Sequence, residues 1–104
     1  MIFDDLQELV SYRRDVTGVD CTIFIASKGS ARHGPRLIVG DSLDPRDATA
    51  SIDLNGRVVG GEIAPTLLRR VQCFITRNRT VLLDYWHYKI DGAQLVRRLR
   101  PIGD

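Results

Sequence analysis

The chain has 104 residues, 43% hydrophobic and 27% charged, with a net charge of +2: enough for one hydrophobic core and too apolar for a disordered polymer. No apolar run approaches the roughly 18 residues that span a bilayer, and Asp4, Asp5 and Glu8 stand where a secretory leader would carry lysines and an apolar stretch. The expected setting is therefore cytoplasmic, with no membrane partner. Cys21 and Cys73 sit far apart within apolar segments, which predicts two buried, reduced thiols.

Taken in chain order, Ile2, Phe3, Leu6, Leu9, Val10 and Arg13 recur at three- and four-residue steps and predict a helix over 2–14, acidic at its start and basic at its end. The β-branched and aromatic run 21–26 predicts a strand, and 36–39 a short second one. Residues 48–54 and 57–61 flank Asn55-Gly56, the pair best suited to a two-residue type I′ turn, and predict a hairpin with Ala50, Ile52 and Leu54 on one face. Pro65 suits a first helical turn, and Leu67, Leu68, Val71, Phe74 and Ile75 predict a helix over 65–77. Asn78 interrupts that stripe, so 80–90 reads as a second helical segment, and 95–102 as a final short strand or arm. The sum is one α+β domain, 1–104: a small antiparallel sheet of about four strands packed with an N-terminal helix and two C-terminal helical segments.

From the first strand onward the order of features resembles the small bacterial family catalogued as domain of unknown function 4160. The residues that carry the likeness are Thr22-Ile23-Phe24-Ile25, Gly34-Pro35-Arg36-Leu37-Ile38-Val39, and the hairpin from Ala50 to Gly61. Ala64-Pro65, the stretch from Asn78-Arg79 to Tyr85-Trp86, and the tail Leu95–Ile102 complete it. Where that family has two histidines around a phenylalanine, this chain has Arg36-Leu37-Ile38. The resemblance implies a fold and a setting in toxin–antitoxin-like gene pairs, without the chemistry that a histidine pair would bring.

No motif completes a reactive site. A zinc centre needs three or four Cys, His or carboxylate ligands, and Cys21, His33, Cys73 and His87 have no close ligand spacing. Asp41, Asp44 and Asp47 fall at every third position, whereas calcium loops alternate ligands at every second. The glycines form no phosphate-binding fingerprint. Trp86 reads as core, and Tyr88 or Tyr12 as an exposed contact residue. No cofactor or metal is expected.

Charge is the remaining signal. Residues 1–62 hold seven basic and ten acidic side chains, a balance of −3, and residues 63–104 hold eight and three, a balance of +5. Thirteen of the fifteen basic residues are arginine, the cation suited to bidentate anion contacts. Arg69, Arg70, Arg77, Arg79, Arg97, Arg98 and Arg100, with Tyr88, are the candidate partner-binding residues. The expected function is a non-enzymatic protein-binding module for an acidic partner, antitoxin-like or a phage- or mobile-element-encoded inhibitor of a bacterial defence complex, with room for a homodimer. The alternatives are a nucleic-acid binder using the same arginines and an unrecognised hydrolase using His33 or His87 with Asp84.

Overall fold

The computed structural model describes residues 9–26 and 34–103. Five strands form one antiparallel sheet in the order of the sequence, each hydrogen-bonded to the next: β1 Leu9–Tyr12, β2 Thr22–Ala26, β3 Arg36–Gly40, β4 Ala48–Asp53 and β5 Val58–Gly61. Among the described residues the helices are α1 Arg14–Thr17, α2 Pro65–Trp86 and α3 Gly92–Arg98. The α+β class holds, with five strands rather than four.

The expected helix over 2–14 is corrected in its second half. Residues 9–12 are a strand, and residues 2–8 lie outside the described residues. Val10 pairs with Ile25 and Tyr12 with Ile23, and both side chains pack on the core. An apolar residue at every second position satisfies a strand as well as the rim of a helix, and the free edge of β2 decides between them. Helix α1 is a single turn that stops at Gly18, whose φ of +77° is the left-handed region. A Cβ at Gly18 would stand 2.0 Å from the Ile102 carbonyl oxygen, so only glycine lets the C-terminal strand of backbone pass this close.

The hairpin between β4 and β5 is present, but its loop has three residues instead of two. Asp53 N–H donates to Arg57 O at 2.9 Å and Gly56 N–H to Asp53 O at 3.0 Å, with only Gly56 at positive φ. The Asp53 carboxylate also accepts the Asn55 and Arg57 amides, at 2.9 and 3.0 Å, which favours the longer loop over the I′ turn. Leu54 thereby leaves the strand yet stays buried with Ala50 and Ile52. Ser51 faces Gly60 while Ile52 faces Val58, so Val59 is an extra, bulged residue on the outermost strand. A bulge of this kind twists an edge away from further strand pairing.

One face of the sheet, including Ile23, Ile25, Leu37, Val39, Ala50 and Ile52, packs on Val71, Phe74, Ile75, Val81, Leu82 and Tyr85 of α2 and on Leu95 of α3. Helix α2 runs unbroken for 22 residues, so the two expected segments, 65–77 and 80–90, are one helix that ends at Trp86. Asn78 does not interrupt it. The residue is 2% exposed, and its Nδ2 donates to Phe74 O and Arg100 O, both at 2.9 Å, while its Oδ1 accepts the Arg100 amide at 2.7 Å. A polar residue on the buried stripe is tolerated because every hydrogen-bonding atom has a backbone partner.

The expected terminal strand or arm is also corrected. Asp91 and Gln94 form a reciprocal capping box, with Gln94 N–H donating to Asp91 Oδ1 at 2.8 Å and Asp91 N–H to Gln94 Oε1 at 3.0 Å, and α3 follows. Beyond it the chain is extended: Ile102 N–H donates to Thr17 O at 2.9 Å, and Arg70 donates to Gly103 O at 2.7 Å and Gly18 O at 3.1 Å. Replacing Asn78 with Ala should leave the Arg100 amide and carbonyl without partners. The expected loss is about 1–3 kcal/mol of stability in urea unfolding, and an unchanged midpoint would refute the clamp.

Candidate functional site

Helix α2, α3 and the start of the tail enclose an open groove of about 380 Å3 lined by Arg77, Asn78, Thr80, Val81, Arg97, Arg98, Leu99 and Arg100. Its construction follows from the Asn78 clamp. Holding the Arg100 peptide against α2 brings the last turn of α3 alongside residues 77–81, so arginines about 20 positions apart in sequence meet at one surface. Val81 and Leu99 are buried beneath the polar rim.

Among the described residues, Arg98 is the one of these four arginines that has a carboxylate partner. Its Nη2 lies 3.0 Å from Asp84 Oδ2 in a partly exposed pair, the side chains 44% and 23% exposed. Arg77, Arg97 and Arg100 are exposed, and their guanidinium groups make no ion pair or hydrogen bond among the described residues. Arg97 and Arg98 also occupy the last turn of α3, where cations suit the helix dipole. That placement accounts for two of the four charges, whereas the guanidinium groups of Arg77 and Arg100 have no such assignment among the described residues.

The other candidates sit elsewhere. Arg69 is exposed one turn from Cys73 and shares with Arg77 an adjoining hollow of about 600 Å3 against Ile102 and Gly103. Arg70 and Arg79 hold the fold together: Arg70 ties the tail to Gly18, and Arg79 donates to the Leu54 carbonyl in the hairpin loop. Tyr88 is 60% exposed but lies with Tyr85, Lys89, Ile90 and Gln94 at the other end of α2. It terminates that helix at a φ of +62°. Lys89 N–H donates to Asp84 O at 2.9 Å and Tyr88 N–H to Tyr85 O at 3.2 Å, the hydrogen-bond pattern in which glycine usually takes the left-handed position.

The reactive groups do not assemble. His33 lies outside the described residues, and His87 is exposed at the end of α2 with no hydrogen bond to Asp84, whose carboxylate faces Arg98. Among the described residues, no three His, Cys, Asp or Glu side chains come together in a metal-binding group. Asp44 caps a single 3-10 turn, Pro45–Asp47, accepting the Arg46 amide at 2.9 Å, and the Arg46 side chain holds its carboxyl below the ordinary range. Ser42 donates to Asp47 at 3.1 Å, so Asp44 and Asp47 belong to a self-contained turn.

The expected pair of buried thiols is half right. Cys21 is partly covered and its thiol is pushed up to about 11, first by burial and then by Asp41 and Asp20, while Cys73 is exposed. Apolar neighbours in sequence do not share a helix face: Val71 and Phe74 point inward, and position 73 turns away from them.

No family model, curated protein or solved structure matches the chain. The groove was only partly legible beforehand. Its arginines were visible as a compositional bias, whereas Asp84 stood only as a candidate partner of His33 or His87, and nothing placed it, Thr80 or Leu99 at a groove until α3 was folded back on α2. The Asp91-Gln94 box is the local feature that announces α3 and hence the groove.

Two measurements check this geometry. Alkylation at pH 8 followed by peptide mapping should label Cys73 and largely spare Cys21, whose labelling rises as the pH approaches 11; equal labelling at pH 8 contradicts the assignment. Tyr88→Gly should raise stability by about 1 kcal/mol in urea titrations, because the left-handed conformation costs a tyrosine what it does not cost glycine.

Proposed function

We propose that this chain is a non-enzymatic protein-binding module whose groove between α2 and α3 receives an acidic stretch of a partner protein. The observation that carries the reading is the convergence of Arg77, Arg97, Arg98 and Arg100 on one groove where, among the described residues, Asp84 is the single carboxylate partner. Like charges held together without counter-charges repel one another, and an anionic ligand relieves that cost while forming charge-assisted hydrogen bonds. Arginine suits the role because its planar fork grips a carboxylate in two places. The apolar floor of Val81 and Leu99 gives the stem of a partner's Glu or Asp side chain something to lie on. Arg69 extends the basic surface through the hollow that shares Arg77.

Among the described residues that line the groove, Thr80 supplies a hydroxyl and no histidine or carboxylate stands beside it as a base. Binding is the chemistry these residues support. The narrower roles, an antitoxin-like partner or an inhibitor of a defence complex, rest on the order of sequence features that resembles the toxin–antitoxin-associated family.

The test is a binding titration with a labelled glutamate-rich peptide, set beside a single-stranded oligonucleotide of equal formal charge. The peptide should bind in a salt-sensitive manner, and Arg97→Ala with Arg100→Ala together should weaken it about tenfold while Arg57→Ala on the hairpin leaves it unchanged. Tighter binding of the oligonucleotide, with a salt slope of several phosphates, would replace the acidic partner by a nucleic acid.

A further inference from the structure

Among the described residues Asp84 is the carboxylate in contact with the groove's arginines, and its position is informative. It projects from the last turns of α2 and reaches across to Arg98 of α3, 14 residues further along the chain, at 3.0 Å. Both side chains remain in contact with solvent, so the pair is of the kind that contributes little to stability and exchanges readily. The fold does not need it. Helices α2 and α3 are already joined by the two hydrogen bonds between Asn78 and the Arg100 backbone and by the burial of Leu95 and Leu99, and the capping box orients the start of α3 independently.

We infer that Asp84 is an intramolecular occupant of the acidic-partner site. Its carboxylate holds Arg98 in place of a carboxylate from the docking segment, and the partner displaces it. The inference rests on the groove reading above and adds a partner chemistry and a regulation to it. Among the described residues, what holds Arg98 is an aspartate carboxylate from an adjacent helix. An Asp or Glu side chain of a partner segment is therefore the matching ligand, and Asp84 lowers the affinity for it by keeping a quarter of the groove's positive charge engaged in the free protein. Displacement needs no change of backbone: Asp84 swings to water and Arg98 closes on the incoming group.

The decisive experiment is a double-mutant cycle read by anisotropy of the labelled glutamate-rich peptide on the full chain. Asp84→Asn should tighten binding about two- to fivefold, the range set by the strength of an exposed ion pair. The gain should vanish in an Arg98→Ala background. Glu62→Gln, which removes the same charge on the exposed hairpin side, should give no comparable gain. Asp84→Ser serves as a second replacement, and urea unfolding of each variant verifies that it is folded. A gain that persists without Arg98, or that Glu62→Gln reproduces, reduces the effect to net charge and overturns the inference. So does unchanged or weaker binding by Asp84→Asn. These failures are separate from failure of the groove reading, which shows as no binding of the peptide by the wild-type chain at low salt, and self-association on light scattering would make a second copy the occupant instead.

Discussion

The side chain of Asn78 connects the two halves of this architecture. It sits on the buried stripe of a long helix, at a place where an apolar residue would pack as well, and directs three hydrogen bonds at backbone groups, two of them from the single residue Arg100. Each such bond contributes about 1 kcal/mol net, but an unpaired amide or carbonyl at this depth costs more than that, so the arrangement tolerates little deviation. Through it the tail is fixed beside α2, α3 is folded back, and the extended residues reach Thr17 and Gly18 on the far side of the sheet's first turn. The Arg70 tether and the Ile102 hydrogen bond hold the residues that follow this clamp, and Gly18, the left-handed cap of α1, leaves room for them.

The groove is a by-product of the same geometry. Residues that bring α3 against α2 are mainly apolar or amide, and the charged residues that alternate with them are left on the rim. Because both helices contribute arginine at that rim and, among the described residues, one aspartate, the surface they form has an excess of positive charge. Charge of this kind is costly to maintain in a marginally stable domain, which is the physical reason for reading it as a docking surface. The edge strand carries the opposite instruction. Val58 and Val59 are exposed there, but the bulge at Val59 and the positive φ of Gly61 spoil the regular ladder that strand addition needs.

Several elements were legible before any coordinates. Strands β2 and β3, the hairpin between β4 and β5, and the Pro65 start of α2 follow from β-branched runs, turn residues and helical spacing. The misreadings share a cause. Leu9–Tyr12 fits two periodicities over four residues, and only pairing with the open edge of β2 selects the strand. Asn78 reads locally as a helix breaker, because its propensity is unfavourable and its compensating partners lie 22 residues away. Asn55-Gly56 favours a two-residue turn by itself, but the Asp53 carboxylate captures the following amides and lengthens the loop.

What the sequence determined alone is what local chemistry can settle: an α+β domain, apolar faces of the right period, and an excess of arginine in its last 42 residues. Which arginines serve a surface and which serve the fold was decided by the tertiary structure. Arg70 and Arg79 bind backbone carbonyls, Arg98 finds Asp84, and Arg77, Arg97 and Arg100 remain open to solvent. The physical reason is that a guanidinium carries the same charge wherever it lies, and its role depends on which acceptors a chain folded through distant contacts places within 3 Å of it.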